Sequence, residues 1–290
     1  MISVKAAVAG LLLVSLFSLR PPGLQAITRD EIVARAAEYA GVQWLCSNRN
    51  AHRQYNDLLP GTRYQGLSYN MGGFDSLPRF GQKVHRGTIA GNVKRRCGKY
   101  LCIRRDFAGI DCAGFVSRCW GIIQYSCPTL SNISIVVPPG DLEPGDILNS
   151  ENKHVMLFDR FDEDGESWVY ESVAWLRIKH SPPAGVAHRS VDWDQTYVPR
   201  RFYEFIRIGN RVKTLRGQSL YVRPGVKARS VVSRLAKGRI TDGPVADGNP
   251  EHSIVGSVWY KIRFDDGKIG WCPIRYLSLA HESESVDLGP

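Results

Sequence analysis

From Gly145 to the C-terminal region the chain is cut into short β-rich runs. They are Gly145–Leu148, His154–Phe158, Trp168–Val173, Phe202–Ile208, Ser219–Arg223, Val231–Leu235, Val258–Phe264 and Gly270–Pro273. Turn residues such as Asp162-Glu-Asp-Gly165, Pro224-Gly225 and Asp265-Asp-Gly267 separate several of them, and this punctuation marks strands joined by short connections. Helical signals come earlier. Thr28 and Glu31 have capping-box spacing, and Ile32, Val33, Ala36, Ala37 and Ala40 then fall on one face, predicting a helix over 29–40 that Gly41 ends. A helix-first, sheet-later order defines the α+β class, with helices packed on an antiparallel sheet.

The 290 residues and 43% hydrophobic content suffice for one good core and a second, smaller unit. A composition change near 209–213 marks the boundary, so that 27–208 forms the first domain, 214–280 a small all-β barrel, and 281–290 a tail. The stretch 47–108 is rich in Gly, Asn, Arg and Tyr without sustained periodicity, and reads as a long elaborated connection inside the first domain.

Residues 1–26 read as an export signal: Lys5, an apolar run from Ala6 to Leu19, and Leu24-Gln-Ala26 at the cleavage region. The run is short for a membrane span, and a retained anchor is the alternative. The expectation is an exported protein of the periplasm, the cell envelope or the extracellular space, with no stable membrane span once the signal is removed. The formal charge of +10 falls to +8 without Lys5 and Arg20. A basic exported protein suits anionic cell-wall material; the cations are dispersed and no nucleic-acid-binding signature accompanies them, so nucleic acid is not an expected partner.

Seven cysteines in an exported chain leave one thiol over if the others pair. Cys97 and Cys102 are spaced for a local bridge, while the remaining connectivity is open. No paired Cys-x-x-Cys pattern supports a zinc site, and the acidic turn at Asp162 lacks calcium-loop spacing, so neither metal nor cofactor is expected.

Cys112 is the candidate for the unpaired thiol. In Asp111-Cys-Ala-Gly-Phe-Val-Ser-Arg-Cys-Trp-Gly121 the aspartate can cap a short helix whose buried stripe is Phe115, Val116, Cys119 and Trp120. Cys112 then lies in the first turn, where unpaired N–H groups and the helix dipole favour a thiolate and its own N–H can face a developing oxyanion. Among seven histidines, His154 stands out because it opens a strand just after the turn-forming Leu142-Glu-Pro-Gly-Asp-Ile-Leu148. If its strand pairs with Trp168–Val173 about a centre near 162.5, position 171 lies opposite 154. Glu171 then shares the face of His154 and can orient its ring. Trp259, Tyr260 and Trp271 could stack on sugars, but their strand-like context makes them core residues.

These residues resemble the NlpC/P60 family of papain-like cysteine peptidases, bacterial cell-wall endopeptidases. The resemblance rests on Gly109-Ile-Asp-Cys-Ala-Gly-Phe-Val116, on Leu142–Leu148 leading into His154-Val-Met-Leu-Phe158, and on Tyr170-Glu-Ser172. It implies a Cys112–His154–Glu171 triad that cleaves peptidoglycan stem peptides through an acyl-enzyme, often after γ-D-glutamate. In the C-terminal part, Leu220-Tyr-Val-Arg-Pro-Gly225, Trp259-Tyr-Lys-Ile262, Asp266-Gly-Lys-Ile-Gly-Trp271 and Tyr276-Leu277 resemble a bacterial SH3-like domain, which implies wall binding or control of access. Two positions depart from the family pattern: Ala113 stands where serine is usual, and Trp44 where a tyrosine commonly faces the nucleophile. The resemblance assigns Trp44 and Asp111 to the substrate and oxyanion side of the site. The competing readings are a noncatalytic wall-binding protein and an amidase or acyltransferase using the same thiol chemistry.

Overall fold

The computed structural model describes residues 27–94, 96–174, 184–206, 210–216, 218–221, 231–235, 240–242, 251–252, 257–263 and 269–280. The expected export signal at 1–26 and the tail at 281–290 lie outside them. No helix among the described residues is long and apolar enough to cross a membrane.

The chain is α+β, with few helices and a large mixed sheet. Helix α1 (Arg29–Gly41) opens with the anticipated capping box: Thr28 Oγ1 accepts from the Glu31 N–H at 3.2 Å, and Glu31 Oε2 accepts from the Thr28 N–H at 2.8 Å. Its buried face is Ile32, Ala36 and Tyr39, with Val33 and Ala40 partly buried against the core; Tyr39 joins the expected stripe and Ala37 leaves it, exposed to solvent. Strands β1 (Gln43–Leu45) and β2 (Arg63–Gln65) form a separate pair, followed by α2 (Leu77–His85) and the small hairpin β3 (Arg96–Cys97) and β4 (Tyr100–Leu101). The 47–108 connection is therefore more built than its composition indicated. Ser76 caps α2 by accepting from the Arg79 N–H, with Pro78 in the first turn.

Helices α3 (Cys112–Cys119) and α4 (Cys127–Leu130) precede β5 (Ser134–Val136), β6 (Ile147–Ser150), β7 (His154–Phe161), β8 (Ser167–Val173), β9 (Gly185–Val191) and β10 (Val198–Phe202). These six strands run in the order β5-β10-β6-β7-β8-β9, every neighbour antiparallel. The expected strand at Phe202–Ile208 lies earlier in the chain, and Tyr203–Phe205 form a 3-10 turn instead.

The C-terminal part contributes β11 (Arg211–Thr214), β12 (Gln218–Tyr221), β13 (Val231–Leu235), β14 (Ile240–Asp242), β15 (Glu251–His252), β16 (Val258–Arg263), β17 (Ile269–Pro273) and β18 (Leu277–Leu279). They pair among themselves antiparallel and join the first group through one parallel pair, Ser278 with Val136. Because β11 pairs with β14 and β18, this group begins at Arg211, ahead of the expected start at 214. Trp259, Tyr260 and Trp271 are all buried, as their strand context required.

Helix α3 packs across β7 and β8 and against α1, where Tyr39 and Phe115 meet edge-to-face at 5.9 Å. Trp120, 1% exposed, stacks on Phe202 at 4.6 Å while its indole N–H donates to the Gly145 carbonyl at 3.0 Å. Burying a large apolar side chain contributes roughly 1.5–3 kcal/mol, and the indole bond removes the penalty of a stranded polar group. The aspartate of the Glu-Pro-Gly-Asp turn has a structural task. Asp146 is fully buried and receives Arg29 of α1 at 3.0 Å and Arg201 of β10 at 2.9 Å, tying the first helix to the sheet just ahead of His154's strand.

Candidate active site

Asp111 is the N-cap of α3, and Cys112 is the helix's first residue, 8% exposed. The Asp111 carboxylate serves two masters: Oδ1 accepts from the Gly114 N–H at 2.6 Å, and Oδ2 from the Gly72 N–H of the long connection at 3.0 Å. Burial raises its pKa to about 6, against the pull of the Gly114, Gly72 and Ala113 N–H groups. The helix starts hard against the connection. A Cβ on Gly114 would stand 2.5 Å from the Gly73 carbonyl oxygen, which is why glycine follows Cys112-Ala113. Ser172 of β8 donates to the Ile110 carbonyl at 2.8 Å and fixes the approach to Cys112 from the sheet side.

His154 begins β7, and its side chain keeps 15% of its surface open. Nε2 lies 2.5 Å from Glu171 Oε2, and the Cys112 thiol is near enough to the ring to bear on its titration. With Nε2 committed to Glu171, Nδ1 is the nitrogen left for the thiol. Burial alone would press the imidazole towards neutrality; the hydrogen bonds and charges of Cys112 and Glu171 outweigh it and raise its pKa to about 10. Glu171 is 1% exposed. Burial opposes its charge, but His154 and Arg189 overcome that and hold its pKa below the usual value. Arg189 of β9 donates from Nε to Glu171 Oε1 at 2.5 Å, so the carboxylate carries the histidine on one oxygen and the arginine on the other.

The pairing that brings Glu171 to His154 differs from the expected register. Leu157 pairs with Tyr170 and Phe158 with Val169, and a bulge at Asp159 shifts the outer pairs. Continued inward, this register sets Met156 opposite Glu171, so the glutamate reaches His154 diagonally. The offset is two residues, and a two-residue shift keeps each side chain on its face. Asp162 builds the turn itself: Oδ1 accepts from the N–H groups of Asp164 and Glu166, and Oδ2 from the Trp168 indole.

Trp44 does not supply the expected oxyanion donor. Its indole N–H is spent on the Gly66 carbonyl at 2.9 Å, and its ring packs against Tyr64 and Phe80 in the core of the connection. Tyr197, half-buried ahead of β10, belongs to the neighbourhood instead. Burial raises the pKa of its phenol, and the charges of Glu171, Asp194, Cys112 and Cys127 add to the shift. No motif marks Tyr197, and only the fold reveals it. A second histidine–carboxylate pair occurs on the opposite sheet face, where His188 Nε2 lies 3.0 Å from Asp159 and its ring stacks on Tyr170 at 4.1 Å; no cysteine accompanies it. No group of three or more potential metal ligands occurs among the described residues.

The cysteine pairing departs from expectation. Cys97 and Cys102 are bridged, as their spacing suggested, but Cys46, Cys112, Cys119, Cys127 and Cys272 are all free thiols. Cys127, at the start of α4, brings its sulfur to 3.6 Å from that of Cys112. That contact is the foremost cause of a Cys112 pKa well above the ordinary thiol value; burial adds to it, and His154 opposes both. Replacing Cys127 by alanine is therefore expected to move the midpoint of Cys112 alkylation by iodoacetamide to lower pH, read by peptide mass spectrometry across a pH series. An unmoved midpoint would show that the neighbouring sulfur does not govern this thiol.

Compared with protein-family models, with curated proteins and with solved structures, the chain finds no match in any of the three.

Proposed function

We propose that the protein is an exported cysteine peptidase of the NlpC type that hydrolyses peptidoglycan stem peptides, with Cys112 as nucleophile, His154 as base and Glu171 as orienting carboxylate. The observation that carries this reading is the grouping of Cys112, His154 and Glu171, with the thiol at the start of a capped helix, its titration linked to that of the ring, and the carboxylate 2.5 Å from the ring. The six strands β5-β10-β6-β7-β8-β9 with α1 and α3 stand in for a papain-like catalytic domain, and strands β11 to β18 for an SH3-like module that engages wall material.

In this mechanism the proton shared by Cys112 and His154 resides on the ring, which Glu171 favours as imidazolium, and the sulfur, as thiolate, attacks the scissile carbonyl carbon. The first-turn N–H of Cys112, which an α-helix leaves without an internal partner, faces the resulting oxyanion. Collapse forms a thioester and breaks the C–N bond, His154 passing its proton to the departing amine. Water, deprotonated by His154, then cleaves the thioester and regenerates the thiol. Glu171 keeps the ring aligned throughout and balances its charge whenever the ring carries the proton, and Arg189 holds Glu171 in place. Substrate specificity at the γ-D-glutamyl bond to the diamino acid comes from the resemblance in the sequence.

The test is digestion of purified peptidoglycan by the wild-type protein, with soluble products identified by mass spectrometry. Stem-peptide fragments with new amino and carboxyl ends are expected. Sedimentation with the wall without any fragment would favour a noncatalytic binding protein, and products carrying a transferred amine in place of water would make the enzyme an acyltransferase.

A further inference from the structure

We propose that the disulfide-closed hairpin β3–β4, with its flanks, is a docking finger that seats the protein on an anionic phospholipid surface. Residues 94–105 read Lys-Arg-Arg-Cys-Gly-Lys-Tyr-Leu-Cys-Ile-Arg-Arg, six cations and no acid. Cys97 pairs with Tyr100 across the two-residue turn Gly98-Lys99, where Gly98 has φ 68° as such a turn requires, and the Cys97–Cys102 bridge closes the loop. The root is fixed. Asn92, fully buried, donates to the Cys102 carbonyl at 2.6 Å; Cys102 is 2% exposed, and Ile103 covers Gly72 so closely that a Cβ there would meet it at 2.6 Å.

Beyond that root the finger stands in solvent. Tyr100 is 68% exposed, Leu101 60% and Ile103 46%. Of its cations, Arg104 meets the exposed Asp106, whereas Lys94, Arg96, Lys99 and Arg105 have no carboxylate partner among the described residues. Unneutralised cations call for an anionic partner, and clustered apolar side chains at the tip call for a medium that removes them from water. A polyanionic wall strand would answer the first demand alone. The headgroup boundary of an anionic bilayer answers both: phosphates meet the basic flanks, and Tyr100 and Leu101 enter the acyl edge, where the amphipathic tyrosine ring is favoured.

This inference makes no use of Cys112 and stands apart from the peptidase reading. Should both hold, the finger lies close to the reaction centre, because Ile103 covers Gly72 and the Gly72 N–H is bonded to Asp111. Cleavage would then fall on the layer of wall that faces the membrane.

The test is co-sedimentation of the chain from residue 27 onward, freed of the apolar leader that would itself bind lipid, with large vesicles. Vesicles containing phosphatidylglycerol are compared with pure phosphatidylcholine at low and high salt. Binding to the anionic vesicles at least about tenfold tighter than to the zwitterionic ones, weakened by salt, is expected. The double variants Tyr100→Ser/Leu101→Ser and Arg96→Glu/Lys99→Glu should each lose about tenfold or more, with unchanged melting temperature. Equal binding to both vesicle types would overturn the proposal, as would anionic binding that survives both variants. Survival of the Tyr100→Ser/Leu101→Ser variant alone would reduce the finger to an electrostatic contact and remove the membrane from it, as would a wild type that pellets with purified wall and never with vesicles.

Discussion

Replacing Cys112 by alanine is expected to abolish release of stem-peptide fragments, a loss on the order of 10⁶-fold when the nucleophile of a covalent mechanism is removed. Wall binding should survive, because the strands from β11 onward are unaffected. Folding should survive as well: the side chain is small, and its position at the head of α3 depends on Asp111 and Ser172, which the substitution leaves in place. The assay is mass spectrometry of solubilised fragments alongside sedimentation of the protein with the wall. Equal fragment yields from wild type and variant would remove Cys112 from the chemistry and with it the proposed function.

His154→Ala should lower the rate of cleavage by about 10²–10⁴-fold, the usual contribution of a positioned base, and Glu171→Gln should fall between that variant and wild type. The same histidine leaves a mark on stability. Its folded pKa of about 10 lies above the ordinary 6.5, so the folded state holds the proton more tightly than the unfolded chain does. The stabilisation is fully present below pH 6.5 and is lost as pH rises through about 10. Cys112, whose pKa is also raised, acts in the same direction at the alkaline end. Denaturant midpoints measured from pH 6 to 10 should therefore decline more steeply in wild type than in His154→Ala. Parallel declines would mean that the ring is not held in a charged pair, and Glu171 would lose its orienting role.

Much of the Cys112, His154 and Glu171 grouping was legible because it rests on local rules. Capping chemistry marks the start of α3, turn residues mark the β7–β8 hairpin, and alternation within strands puts Glu171 on the face of His154 even though the register sets it opposite Met156. The features that escaped are long-range. Cys127 reaches Cys112 only because α4 folds back beside α3, and Arg189 reaches Glu171 only because β9 lies next to β8. Neither adjacency has a signature in residue spacing. Trp44 shows the converse error: an aromatic in a suggestive position was drawn into the core of the connection, where its N–H found the Gly66 carbonyl. The helix in that connection did carry a signal, Ser76 followed by Pro78, but its nine residues are too few for periodicity to stand out among glycines and arginines.

The division of the Asp111 carboxylate between Gly114 and Gly72 makes the long connection a splint for α3. Transplanting residues 109–121 alone into another scaffold would leave one oxygen of that carboxylate bare and the helix free to tilt. Shortening the β3–β4 tip would cost the docking finger but leave the partners of Asp111 in place, whereas shortening at Gly72 would remove one of them, so the strap beside the sulfur must keep its length.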